Sequence, residues 1–328
     1  MALTASTNIS LAPMEGVIDA EMREVFTSLG GIDRCVTEFV RVTEQKIPEH
    51  VFFRFSSELK KGGVTDSGVP VYVQLLGGDA KWMAINAARV AQLAPPGIDL
   101  NFGCPSKTVN RREGGSVLLR EPKRVAQIVA EVRDAVEPSI PVTAKIRLGF
   151  SHTEDLEEIA QGIFDAGASE LCIHARTKEM AYKPPAHWHE IARIARSADL
   201  AAVPLTINGD IWCADSADQA LKLSSAQHLM LGRGALRIPD LPSQIKAKAN
   251  NVQYEPLAWS MVLEVLISYL SRSKNQHPHF VGNRAKQWLG FLKVNYGEAE
   301  FAFQKIKKLK DAGEVLNALD QCVNLISN

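Results

Sequence analysis

Pro141-Val142-Thr143-Ala144-Lys145-Ile146-Arg147-Leu148 alternates apolar and polar side chains. Neighbouring side chains on a strand point to opposite faces, so Val142, Ala144, Ile146 and Leu148 share one face, and Thr143, Lys145 and Arg147 the other. In a closed barrel the first set meets the surrounding helices and the second lines the interior.

Short β-branched or apolar runs of the same kind recur on both sides of this stretch, at Asn8 to Pro13, Arg34 to Val40, Val69 to Leu76, Ile98 to Phe102, Glu170 to His174, Val203 to Asn208 and Gln227 to Leu231. Helix-like segments such as Ala80 to Leu93, Pro122 to Val136 and Thr153 to Ala166 separate most of them. Eight strands alternating with helices predict a (β/α)8 TIM barrel. From about Asn250 strand signals stop and four helical patterns follow, Leu257 to Leu270, Val281 to Val294, Glu298 to Lys308 and Ala312 to Ile326. They predict a small all-α helical bundle after the barrel. In the second pattern Ala285, Trp288, Leu289 and Leu292 make one buried stripe, with Arg284 and Lys286 off it.

The chain of 328 residues exceeds a barrel of about 250 residues by room for one small unit. Its 37 basic residues balance 37 acidic ones, which excludes a bulk charge drawing it to nucleic acid or membrane. Contacts to such a partner must be local. Five scattered cysteines without redox or metal spacing suit reduced thiols in a cytoplasmic protein. The first ten residues carry no basic region and no long apolar run, so neither a leader nor a membrane span is expected. The His187/His189 and His277/His279 pairs have no further ligand candidates nearby in sequence, and no metal is expected.

Applied to every strand, the alternation sends Gln74, Asn101, Lys145, His174 and Asn208 inward, each late in its strand. The strands' C-terminal ends form the mouth where barrel enzymes collect their chemistry. Strand seven runs into Asn208-Gly209-Asp210 and strand eight into Gly232-Arg233-Gly234, where glycine lets backbone N–H groups approach phosphate oxygens and Arg233 adds charge. A monophosphate-bearing cofactor is implied. On the loop after strand four, Gly103 and Pro105 frame Cys104, whose thiol can be a nucleophile, a proton donor or a small buried group.

With these pieces in place the chain resembles the tRNA-dihydrouridine synthases, most closely their bacterial C type. The matching segments are Ala12 to Gly16, Thr37 to Val42, Val73 to Gly77, Leu100 to Lys107, Lys145 to Gly149, His174 to Glu179, Asn208 to Trp212, Gly232 to Ala235 and Lys286 to Leu289. They run in family order across the barrel and into the helical unit. The resemblance implies FMN as cofactor, NADPH as its reductant, and reduction of the C5–C6 double bond of a D-loop uridine in tRNA, uridine-16 by the subfamily likeness. It implies that Pro13, Met14, Glu15, Gln74, Lys145, His174, Asn208, Gly209, Asp210, Gly232 and Arg233 surround FMN and that Cys104 gives a proton to uracil C5. Residues 1–245 would then form the FMN-binding catalytic barrel and 246–328 the tRNA-binding helical domain of a monomeric enzyme.

Asn101 offers donor and acceptor to a uracil edge, Tyr182 a stacking surface, and Arg176 a charge for substrate or flavin phosphate. In a net-neutral chain the tRNA phosphates fall to local cations, with Arg41, Arg284 and Lys286 as candidates. The competing readings are an FMN barrel that reduces a free pyrimidine or dihydroorotate, an aldolase-like barrel with Lys145 as Schiff base, and an RNA-binding module without catalysis. The helical unit has no purpose in the first. The second predicts a colourless protein, and the intact Cys104, Lys145 and His174 set disfavours the third.

Overall fold

A computed structural model describes residues 2–197, 200, 203–276 and 278–326. The strand segments are β1 (Ile9–Leu11), β2 (Arg34–Val36), β3 (Val40–Arg41), β4 (Val71–Leu76), β5 (Ile98–Asn101), β6 (Val142–Arg147), β7 (Glu170–His174), β8 (Leu205–Asn208) and β9 (His228–Leu231). They pair in parallel in the order β2-β1-β9-β8-β7-β6-β5-β4-β3, and a β2–β4 pairing closes the ring. The eight-strand barrel read from the sequence is therefore present, with one departure. The second strand is broken into β2 and β3. Within the break the Thr37 hydroxyl accepts the backbone N–H of Gln74 at 3.0 Å, standing in for a ladder carbonyl, and the chain bends so that Glu38 and Phe39 reach the barrel mouth.

The alternation of β6 has the predicted consequence. Val142, Ala144, Ile146 and Leu148 are fully buried against the helices, in the main apolar core. The helix Pro122–Ala135 shows why that layer forms. Proline opens its first turn, where no N–H is needed, and Val125, Ile128, Val129 and Val132 fall on one face.

Inside the ring the side chains are stacked in layers. At the bottom Arg34 donates to both carboxylate oxygens of Glu170, which also accepts from Thr206 Oγ1 at 2.6 Å. This bidentate geometry lets a half-buried ion pair offset its desolvation. Above it Ala12, Val36, Cys172 and Met230 form a thin apolar layer with Tyr72. The polar mouth lies on top of that floor.

The helices Trp259–Gln276, Val281–Leu292, Glu298–Ile306 and Ala312–Ile326 form the C-terminal unit. Its predicted stripe is buried, with Trp288 only 1% exposed. The Trp288 ring lies 5.6 Å from both Phe26, on the barrel helix Ala20–Ser28, and Tyr269. Its indole N–H donates to the Leu236 carbonyl at 3.0 Å, in the short helix Arg233–Arg237 that follows β9. The helix Leu241–Ala249 runs across the expected division at 245/246, and one apolar core continues from barrel to helices.

Candidate active site

A cavity of about 460 Å³ opens at the C-terminal ends of the strands. Its lining includes Pro13, Met14 and Glu15 after β1, Gln74, Asn101, Lys145, His174 and Asn208 from the later strands, and Gly209, Asp210, Gly232 and Arg233 beyond β8 and β9. Cys104 and Tyr182 stand at the same cavity. Its floor at Ala12, Met14 and Met230 is apolar. Its polar groups divide by position in the ring. Gln74 and Asn101 come from β4 and β5, across the barrel from the glycines and Arg233 beyond β8 and β9. Lys145, from β6, donates to Asn208 Oδ1 at 3.1 Å and keeps further donors on its ammonium.

The Cys104 loop is held from three sides. The Gly103 and Cys104 N–H groups both donate to Asn101 Oδ1, at 2.9 and 3.0 Å. The Cys104 carbonyl accepts from Ser116 Oγ at 2.8 Å and Asn110 Nδ2 at 2.9 Å. Arg147 Nε donates to the Gly103 carbonyl at 2.8 Å, while its Nη1 donates to the carbonyls of both Thr177 and Ala181. Burial pushes the Cys104 thiol above its ordinary range, so it stays protonated at neutral pH. Gly115 sits behind the loop with φ +66°, and a Cβ there would lie 2.8 Å from the Cys104 carbonyl oxygen. Gly115→Ala is expected to cost about 1–3 kcal/mol through backbone strain. It should also change the alkylation rate of the Cys104 thiol, read by denaturant melts and peptide mass spectrometry.

At the other end Arg233 has its guanidinium 5.1 Å from the Tyr182 ring and 5.3 Å from that of Trp212, and 3.7 Å from Asp210 Oδ1. Gly209 adopts φ +116°, and a Cβ there would come within 3.0 Å of the His174 ring. His174 is held well below its usual pKa, first by burial and then by Arg147, Lys145, Arg176 and Arg233, so its imidazole is neutral. A site with this much positive charge and a neutral histidine suits an anionic ligand.

The dihydrouridine synthase family model matches residues 10–326. The chain belongs to the dihydrouridine synthase family. A tRNA-dihydrouridine(16) synthase of Pseudomonas putida is 43% identical over 312 residues, covering 95% of this chain and 96% of that protein. One of Vibrio parahaemolyticus is 42% identical over 315 residues, covering 95% of each. One of Shewanella oneidensis is 41% identical over 314 residues, covering 95% of this chain and 97% of its own. Among solved structures, histamine dehydrogenase from Rhizobium sp. 4-9 aligns with a TM-score of 0.55 at 12% identity, covering 97% of this chain and 62% of its own. That likeness shows the fold alone.

The dihydrouridine synthase cavity does not collect every residue the sequence pointed to. Arg176 is fully buried and does not line it. Its Nε donates to the Lys183 carbonyl at 2.7 Å, it pairs with Asp210, and Nη1 lies 3.4 Å from His174 Nε2. Arg284, expected on an exposed helix side, is half-buried, paired with Asp19 and donating to the Tyr269 hydroxyl at 2.7 Å. Lys286 is half-buried too, with Nζ on the Leu309 carbonyl at 2.8 Å. Arg41 lines a neighbouring groove that shares Glu15, Phe39 and Ser106 with the cavity. The rings of His187 and His189 lie 6.0 Å apart; His277 lies outside the described residues.

Other residues were not singled out from the sequence. Asp99, inward by the same alternation that gave Asn101, bonds Gln74 and Thr143 from below. Phe291, from the C-terminal helix Val281–Leu292, lines the cavity, as do Glu38 and Trp212. Nothing in the local sequence pattern marks Phe291. The even spacing of polar residues along β5 did mark Asp99.

Proposed function

We propose that this cavity binds FMN and reduces uridine-16 of tRNA to 5,6-dihydrouridine with NADPH as reductant, in a monomeric cytoplasmic enzyme. The observation that carries the reading is the Cys104 thiol, fixed by its hydrogen-bonded loop at the edge of an apolar-floored cavity that also gathers Gln74, Lys145, His174 and Arg233. The donor set fits FMN. The floor at Ala12, Met14 and Met230 suits a flat ring, Gln74 and Lys145 suit its polar edge, and Gly209, Gly232 and Arg233 suit a phosphate. When bound, FMN would supply the hydride for uracil C6.

The chain's own groups do the rest. Lys145 would supply positive charge beside the polar edge of the bound cofactor, and His174 stays a neutral hydrogen-bonding wall. Cys104 gives its proton to uracil C5 and regains one from solvent. Tyr182, 51% exposed, offers a surface on which the base can stack. Extruding a uridine costs about a few kcal/mol, offset by phosphate contacts elsewhere. Arg41 and Lys286 serve in that role, whereas Arg284 acts through Asp19 and Tyr269 to fix the helical unit that carries Lys286.

Two experiments test the reading. Dihydrouridine at position 16 should vanish from the tRNA of cells lacking this protein and return with the purified enzyme and NADPH. Arg233→Ala should lower flavin occupancy about tenfold, for the loss of one charge-assisted phosphate contact. Absorbance after denaturation reads this directly, and an active wild-type preparation without flavin rejects the cofactor assignment.

A further inference from the structure

A single line of hydrogen bonds rises from the barrel interior to the Cys104 loop. Asp99 is buried, and its carboxylate can only accept. It accepts from Thr143 Oγ1 at 2.6 Å and from Gln74 Nε2 at 2.7 Å. With its amino group directed downward to Asp99, Gln74 turns its carbonyl oxygen toward Asn101, whose Nδ2 donates to it at 2.7 Å. Asn101 is then left with Oδ1 facing the loop, where the Gly103 and Cys104 N–H groups converge. Each amide has two possible orientations, and the acceptor at the base selects one for both.

We propose that Asp99 is a positioning residue whose fixed acceptor polarity, passed through Gln74 and Asn101, holds the Cys104 loop in place. Burial pushes Asp99 up to about 6, against the opposing effects of Thr143, Gln74, Lys145 and Arg34, so it is ionised at neutral pH. Reversing the line would turn the Asn101 amino group onto two backbone N–H groups, leaving three donors facing one another in a buried site. The importance of the line for turnover rests on Cys104 as proton donor. The line itself is tested without flavin or tRNA.

The test is the alkylation rate of Cys104 by iodoacetamide, read by peptide mass spectrometry with exposed Cys213 as internal reference. Asp99→Asn removes the acceptor constraint, and Asn101→Asp sets a carboxylate against the Gln74 carbonyl. Each single variant is expected to change the Cys104 rate relative to Cys213 by roughly tenfold, the equivalent of one lost buried hydrogen bond. The double variant Asp99→Asn with Asn101→Asp reverses the whole line. The amide at 99 donates to Gln74, Gln74 donates to the carboxylate at 101, and that carboxylate accepts both loop N–H groups. Its rate is expected to return to within about twofold of wild type, a coupling that independent structural damage would not give. Unchanged rates in both single variants overturn the proposal, as does a double variant no closer to wild type than the singles. If a single variant does not fold, recovery of the thermal transition in the double variant supports the line and its absence rejects it.

Discussion

Cys104→Ala is expected to keep its flavin and to be reduced by NADPH at an unchanged rate, while forming dihydrouridine about 10²–10⁴-fold more slowly. The two half-reactions differ in their need for an acid. Hydride entry into the cofactor asks nothing of the Cys104 loop, whereas saturation of the uracil C5 requires a proton on the face the thiol addresses. Rapid mixing with NADPH and then with tRNA separates them, and an equal loss in both would remove the proton-donor role. The pH profile adds a sign. With the thiol raised by burial, the protonated form is the active one, so the second half-reaction should be flat through neutral pH. It should fall as pH rises past the ordinary thiol range.

Arg176→Ala is expected to destabilise the protein by about 3–5 kcal/mol, because it removes a fully buried guanidinium from its ion pair and leaves the mostly buried Asp210 charged. Asp210 would keep the Ala186 N–H at 3.0 Å, and Arg233 at 3.7 Å. The Lys183 carbonyl would lose its donor as well. At roughly 2–4 °C per kcal/mol for a domain of this size, the thermal transition should drop by about 10 °C. Calorimetry decides it. A loss below about 1 kcal/mol, the scale of exposed pairs, would mean that Arg233 alone satisfies Asp210.

The barrel was legible because its signal is local. The period-two pattern of Pro141 to Leu148 requires no knowledge of partners, and Gln74, Asn101, Lys145, His174 and Asn208 came to one cavity by that rule alone. The break between β2 and β3 was not legible. It depends on Thr37 replacing a ladder acceptor for Gln74, a residue of a different strand. Arg284 was misplaced for a related reason. Helical periodicity showed that it left the Trp288 stripe, but not that Asp19, far away in the chain, waits on the other side. Arg176 illustrates a third limit. Two residues after His174 it continues the motif, yet the chain has left β7 and the side chain turns toward the Lys183 carbonyl and Asp210 instead of the cavity.

The Trp288 indole, seated between Phe26 and Tyr269 and bonded to the Leu236 carbonyl, bears on how such a protein can be recombined. Severing the chain near 245 would cut within the helix Leu241–Ala249 and strip cover from the barrel helix Ala20–Ser28 and from the segment that carries Arg233. The C-terminal helices are therefore not an exchangeable cassette. Grafting them from one relative onto the barrel of another would require the facing barrel residues to travel with them.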